Sequence, residues 1–141
     1  MYTSLAYYIS SLRKDFVDYC NKCLASIGLS QGQVYFLIYI GKHPNCSPKE
    51  LAKALNMDTG HTARTIYKLE EDNFLIQGQN PNDKRARILK LTEKGEEAFK
   101  LSYDLFKDWD KEVLKELSDK EKDTILSLMK KITNVDKWYD L

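Results

Sequence analysis

The sequence has no long apolar run and little cysteine. None of its apolar stretches approaches the roughly 20 residues that a membrane-spanning helix needs. The first residues, MYTSLAYYISSLRKDF, lack the basic start and apolar stretch of a signal peptide. The three cysteines (Cys20, Cys23 and Cys46) are an odd number, so a disulfide framework is not expected. These features predict a cytoplasmic protein without a membrane partner.

The chain also has little net charge. Its 141 residues include 22 Lys and Arg and 21 Asp and Glu, a formal net charge of +1. This near-neutral total counts against DNA binding, since many DNA-binding domains are clearly basic, although the placement of the charges matters more than their sum. The sequence lacks a nucleophile elbow, a phosphate-binding loop and paired catalytic acids, so it does not predict an enzyme.

Most of the chain has helical periodicity. Apolar residues in steps of four and three predict a helix over residues 4–27, which Gly28 ends. The S-x-x-Q pattern at residues 30–33 predicts a capping box at the start of a second, strongly apolar helix. Further helices are predicted over residues 93–117 and 119–135, and an S-x-x-E capping box at residues 118–121 starts the second of them. The chain is therefore expected to be mostly α.

Two short helices are predicted between residues 47 and 72. Ser47 caps the first of them, Pro48 takes its first position and Glu50 completes a capping box. After a break at residues 56–58, the second helix runs to about Asp72, with Ala63, Ile66 and Leu69 expected on its inward face. Two helices joined by so short a turn are typical of a helix-turn-helix.

The periodicity changes from 3.6 to 2 after the second of these helices. Residues 75–77 and 87–91 are predicted strands, separated by a charged tip at residues 80–85 that is rich in turn-forming residues. A helix-turn-helix followed directly by a hairpin is a winged helix. The predicted fold is thus mostly α with a small β-hairpin wing.

The helix-turn-helix, chiefly its second helix, and the wing carry the candidate DNA contacts. Recognition helices contact bases mainly through their N-terminal residues, and arginine can donate two hydrogen bonds to guanine. A basic side chain on a thin hairpin can enter the minor groove. The candidates are Ser47, Thr59, His61, Thr62, Arg64, Thr65 and Lys68 in the helix-turn-helix, and Asp83, Lys84, Arg85 and Arg87 in the wing.

Together these motifs resemble the MarR family of bacterial and archaeal transcription regulators. The most specific match runs from the wing, N-D-K-R-A-R at residues 82–87, into L-x-L-T-E-K-G at residues 89–95. S-P-x-E-L-A at 47–52 and T-x-x-T-A-R at 59–64 also match. The resemblance implies that Asp83 braces Arg85, which inserts into the minor groove. Asn80-Pro81 departs mildly from the aspartate-proline pair usual in the family.

The resemblance also implies an architecture and a mode of action. Residues 1–141 would form a single MarR-type domain, with a winged helix-turn-helix at 30–95 and dimerisation helices at 4–27 and 93–137. The homodimer would bind a pseudo-palindromic operator, more often as a repressor. A small, often aromatic ligand held between the dimer helices and the winged domain would release the DNA.

Two alternatives remain open at the level of sequence. Cys20, Cys23 and Cys46, with His43, have spacings that suggest a metal- or redox-responsive regulator. Peroxide-sensing relatives in the family carry their cysteine early in the first helix, whereas Cys20 and Cys23 lie near its end. The second alternative is a winged-helix protein-interaction module that does not touch DNA.

Overall fold

The computed structural model describes residues 3–133. The elements are α1 (Leu5–Leu24), a 3₁₀ turn (Ala25–Ile27), α2 (Gln31–Lys42), α3 (Pro48–Ala54), α4 (Thr59–Glu71), β1 (Leu75–Asn80), β2 (Asp83–Leu91), α5 (Glu93–Val113) and α6 (Asp119–Ile132). β1 and β2 form an antiparallel hairpin directly after α4. The predicted fold class, mostly helical with a hairpin wing, is confirmed. The end of the predicted helical region, residues 134–137, lies outside the described residues.

Local capping interactions start the helices where the sequence predicts. Ser47 accepts a hydrogen bond from the Glu50 backbone N–H at 3.0 Å, and Glu50 completes the box. The boxes at residues 30–33 and 118–121 are also present. Each box satisfies N–H groups that the first turn of a helix leaves without partners. Gly28, with a φ of +75°, ends the 3₁₀ turn that continues α1, a left-handed conformation that glycine adopts without strain.

Helix α2 lies at the centre of the core. Its residues Val34 and Phe36–Ile40 are buried, and it packs against α5, α1, α3 and β2. Ile66 and Leu69 of α4 and Leu89 of β2 belong to the same hydrophobic cluster. Because one close-packed core holds α4 and the wing, the two are fixed in a single geometry.

The wing is longer and its turn tighter than the sequence predicts. Asn80 pairs with Asp83, so only Pro81 and Asn82 form the turn instead of the predicted tip at residues 80–85. A two-stranded ribbon leaves its polar side chains in solvent, so a charged sequence does not end the strand pairing. The segment before α3 is also bonded to β2, since the Leu89 N–H donates to the Cys46 carbonyl at 2.8 Å and the Leu89 carbonyl accepts from the Asn45 N–H at 3.0 Å.

The first and last described helices expose apolar side chains. Helix α6 has no buried residue. The exposed apolar side chains are Leu5, Tyr7, Tyr8, Ile9 and Leu12 on α1 and Ile125, Leu126, Leu128 and Ile132 on α6. Among the described residues no single helix is long and apolar enough to cross a membrane. The bent pair Leu5–Ile27 and Gln31–Lys42, at 74°, meets that requirement only by combined length and composition, and α2 within it is mostly buried.

Candidate nucleic-acid interface

Helix α4 presents one face to the core and the other to solvent. Thr62, Ile66 and Leu69 are its buried residues. Thr62 is only 2% exposed, and its hydroxyl donates to the Asp58 carbonyl at 2.8 Å. Thr62 therefore does not lie on the exposed face, contrary to the prediction of a major-groove contact. Ala63, predicted to face inward, is exposed instead.

Four of the predicted contact residues on α4 are exposed, namely Thr59, His61, Arg64 and Lys68, and Thr65 is half-buried. Lys68 pairs with Asp72 at 3.3 Å across one helical turn. An exposed pair of this kind contributes little to stability, so Lys68 can exchange Asp72 for another anion at small cost. The hydrogen-bond donors on the exposed face of α4 are therefore not occupied by contacts that stabilise the fold.

The start of α4 positions Arg64. Asp58 caps the helix by accepting from the His61 N–H at 2.7 Å. This hydrogen bond, and then the positive charge of Arg64, hold the pKa of the Asp58 carboxyl below its usual range. A Cβ at Gly60 would lie 3.3 Å from both Arg64 Nη1 and Asp58 Oδ1. Gly60 therefore leaves the guanidinium room beside the first turn of the helix.

The wing exposes all four of its predicted contact residues. Asp83, Lys84, Arg85 and Arg87 lie in solvent near the two-residue turn. The Asp83 carboxylate accepts from the Arg85 backbone N–H at 3.0 Å. Within residues 3–133 no ion pair joins Asp83 to the Arg85 guanidinium, so the contact shapes the backbone of the wing and leaves the guanidinium exposed.

Ser47 is half-buried at the start of α3. Its Oγ accepts from the Glu50 N–H, which leaves the hydroxyl hydrogen free to donate. The preceding residue, Cys46, is bonded to β2 through its carbonyl. Ser47 is thereby held between the helix-turn-helix and the wing.

The distribution of charge explains how a near-neutral chain keeps a basic wing. Residues 83–90 of the wing contain four basic residues and one acidic residue. Helix α5, in contrast, contains seven acidic and four basic residues. The net charge of +1 is therefore the sum of unlike regions, and it does not describe the basic wing.

Two of the three cysteines have the burial of packing residues. Cys20 and Cys46 are buried and Cys23 is exposed. Burial raises the pKa of the Cys20 and Cys46 thiols to about 11. At neutral pH these two thiols are protonated, and the protonated form is a poor nucleophile and a poor metal ligand. In the described part of the chain, no three His, Cys, Asp or Glu side chains come together in a group that could hold a metal ion.

A mostly apolar cavity of about 580 Å³ lies between α1, α2, α5 and α6. Partial burial raises the pKa of the Asp110 carboxyl at its wall. Trp109 is held there by a hydrogen bond of 2.9 Å from its Nε1 to Asp15 and by edge contact with Phe16 at 5.0 Å. The lining residues are Ile9, Leu12, Arg13, Phe16, Gln31, Tyr35, Phe106, Trp109, Asp110, Leu126 and Met129. Sequence reasoning did not identify this residue set, because it comes from four separate helices.

Comparison with known proteins agrees with this geometry. The MarR family profile matches residues 29–86. The HTH-type transcriptional regulator BilQ of Clostridium symbiosum is 42% identical over 132 residues, which cover 94% of this chain and 92% of that protein.

Solved structures of MarR from Escherichia coli have the same fold. The crystal structure of its reduced form superposes with a TM-score of 0.83 at 28% identity, covering 94% of this chain and 98% of that one. A cysteine-to-serine mutant of the same protein, complexed with operator DNA, gives a TM-score of 0.80 at 28% identity, covering 91% and 92%. These relatives are regulators and not enzymes, and the chain belongs to the MarR family of transcriptional regulators.

Proposed function

We propose that this regulator is a homodimeric repressor that binds a pseudo-palindromic operator through α4 and the wing. The observation that carries the proposal is the exposed set formed by Arg64 on α4 and Lys84, Arg85 and Arg87 on the wing, all attached to one packed core. Arg64 would donate to a base in the major groove, and Arg85 would enter the minor groove. Lys84 and Arg87 would contact phosphates.

The other exposed candidates have secondary roles in the proposal. Thr59, His61, Thr65 and Lys68 flank Arg64 on α4 and would contact base edges or phosphates at the margin of the groove. Ser47 would donate its hydroxyl hydrogen to a phosphate. Asp83 would act indirectly, by fixing the backbone that carries Arg85. Thr62 is left out of the contact set because it is buried.

The apolar faces of α1 and α6 support the dimer. Nine large apolar side chains on these two helices are exposed in the described part of the single chain. Exposed apolar side chains gathered on two helices are typical of an interface between subunits. A second copy, related by a two-fold axis, would cover these residues and place a second α4 to meet the other half of the operator. The operator-bound MarR structure to which this chain is similar supports this arrangement.

The cavity between α1, α2, α5 and α6 supports control by a small aromatic ligand. Its volume lies within the range of about 300–1,000 Å³ that is common for small-molecule sites. Phe16, Phe106 and Trp109 offer ring faces, while Arg13 and Asp110 offer charge. Because the cavity joins the proposed dimer helices to α2 of the core, a bound ligand could change the spacing of the two winged domains and release the operator.

Selection of bound sequences from random duplex DNA tests the proposal. The wild type should enrich a two-fold symmetric site. Arg64→Ala should relax the preference at one position in each half-site and weaken binding by about 1–3 kcal/mol, whereas Lys84→Ala should weaken binding evenly across sequences. Lys115→Ala, at an exposed residue paired with Glu112 just after α5, is the matched control. If Arg64→Ala and Arg85→Ala both bind like the wild type, the proposed interface is wrong.

Ligand control has its own test. In a Trp138→Phe background Trp109 is the remaining tryptophan, so its fluorescence reports on the cavity. Titration with a hydroxybenzoate should change this fluorescence and release operator DNA over the same concentration range. Met129→Trp, at a lining residue outside the exposed apolar set assigned to the dimer, fills the cavity and should abolish both effects. Release of DNA without a fluorescence change would place the ligand elsewhere.

A further inference from the structure

Tyr67 is an exposed aromatic residue on the outward face of α4. Its side chain is 66% exposed, and within the described residues it makes no hydrogen bond or ring contact. Large aromatic side chains usually gain their stabilisation by burial, and Tyr67 gains little of it here. The fold therefore gives no reason for a tyrosine at this position.

The geometry of α4 places Tyr67 beside Arg64. Buried Ile66 and Leu69 fix the inward direction of the helix. With 3.6 residues per turn, Tyr67 follows Arg64 by three residues and lies on the same outward face. Long helical side chains lean toward the N-terminus of their helix. The ring of Tyr67 thus covers surface near Ala63 and Arg64, the part of α4 that is proposed to enter the major groove.

We propose that Tyr67 is a specificity-determining residue that contacts the methyl group of a thymine next to the base bound by Arg64. This inference rests on the proposed DNA-binding function. The thymine methyl is the apolar group of the major-groove edge, and apolar side-chain surface selects for it. The polar ends of Arg64 and Lys68 provide hydrogen-bond donors and charge. Ala63 and the methyl group of Thr59 offer only small apolar groups, so the ring of Tyr67 is the largest apolar group on the exposed face of α4.

Substitution of Tyr67 is compatible with folding. The side chain is exposed, and alanine has a higher helix propensity than tyrosine. Tyr67→Ala should therefore retain the wild-type circular dichroism spectrum and unfolding midpoint or slightly raise the latter. Tyr67→Phe keeps the ring and removes the hydroxyl, so it separates apolar contact from hydrogen bonding to a phosphate.

The experiment replaces each thymine of the selected operator, one at a time, by deoxyuridine, which removes only the methyl group. For the wild type and Tyr67→Phe, one replacement in each half-site should weaken binding about fourfold, the factor for one buried methyl-sized group. Tyr67→Ala should bind the thymine and uracil sites equally.

Three results would overturn the inference. The first is a wild type that is insensitive at every thymine. The second is a Tyr67→Ala variant that keeps the wild-type sensitivity. The third is an even loss of affinity in Tyr67→Phe at all sites, which would assign the hydroxyl to a phosphate. A wild type that binds no duplex DNA at all would refute the proposed function as well, and so differs from these three.

Discussion

Replacing Gly95 by alanine should weaken the junction between α5 and the winged domain. Gly95 is buried in the first turn of α5, and a Cβ at this position would overlap the Phe74 carbonyl oxygen and lie 3.1 Å from Leu91 Cβ. The same carbonyl accepts the Thr92 N–H at 3.1 Å, and Thr92 caps α5 by accepting from the Gly95 N–H at 3.0 Å. The Phe74 carbonyl oxygen belongs to the backbone, so it cannot move away by rotation of a side chain.

The expected loss in the free energy of unfolding follows from these contacts. Forcing an extra carbon into a packed site costs about 1–3 kcal/mol. Moving α5 away sacrifices the hydrogen bond from Thr92 to Phe74, about 1 kcal/mol. Alanine returns about 1 kcal/mol through its better helix propensity. The net loss in the free energy of unfolding should be about 1–3 kcal/mol.

Urea unfolding followed by circular dichroism measures this loss, at one fixed protein concentration because association contributes to stability. Gly32→Ala is the matched control. Gly32 is exposed in α2, and a Cβ there would meet no atom within 4 Å. The Gly32→Ala variant should have an unfolding midpoint equal to or slightly above that of the wild type, because alanine has the higher helix propensity. Equal unfolding midpoints for the wild type and Gly95→Ala would refute the close approach of α5 to Phe74.

Three other changes test separate parts of the structure. Leu69→Ala removes a fully buried side chain of α4 and should cost about 2–5 kcal/mol in urea unfolding; a loss under 1 kcal/mol would contradict its central packing. Asp110→Asn should become more stable than the wild type as pH rises. The folded-state pKa of Asp110 is raised by burial, so the folded state holds its proton to higher pH than the unfolded state, and ionisation costs stability above that range. Thermal midpoints over a pH series measure the difference, which should vanish in acid; a difference that is constant with pH would count against this explanation. Leu128→Glu, at an exposed apolar position of α6, should give a monomer in analytical ultracentrifugation with weaker operator binding; an unchanged dimer would place the interface elsewhere.

Features that depend on neighbouring residues were predictable from the sequence. A capping box needs only two residues three apart, such as Ser118 and Glu121, so its pattern can be recognised without tertiary information. The hairpin is marked by a change of periodicity and a turn-forming Pro81-Asn82 pair. The exposure of Arg64 and Arg85 follows from their polar character on elements that were correctly placed.

Features that depend on distant contacts were not predictable in this way. Thr62 takes the inward position that was assigned to Ala63 because the packing of Ile66 and Leu69 against the core sets the orientation of α4. The Thr62 hydroxyl donates to the carbonyl four residues earlier, so its burial leaves no unsatisfied polar group. The bonds from Asn45 and Cys46 to Leu89 join segments far apart in sequence and have no local pattern.

The residues around the cavity could not be predicted from local sequence either. Arg13 and Asp110 come together only when α1 and α5 pack, so nothing in either segment alone marks them as neighbours.

Tyr67 was missed for a different reason. Tyrosine is common in protein cores, and only the observed phase of α4 shows that this side chain faces outward.

The salt dependence of operator binding is the most direct test that α4 and the wing contact duplex DNA. The affinity, measured by fluorescence anisotropy, should fall steeply and linearly on a log–log plot against salt, with a slope of about −0.9 for each phosphate neutralised. Lys84→Ala should reduce the slope by about 1, and Lys115→Ala should leave it unchanged. A flat plot for the wild type, or the same slope for Lys84→Ala, would contradict phosphate contact by this face.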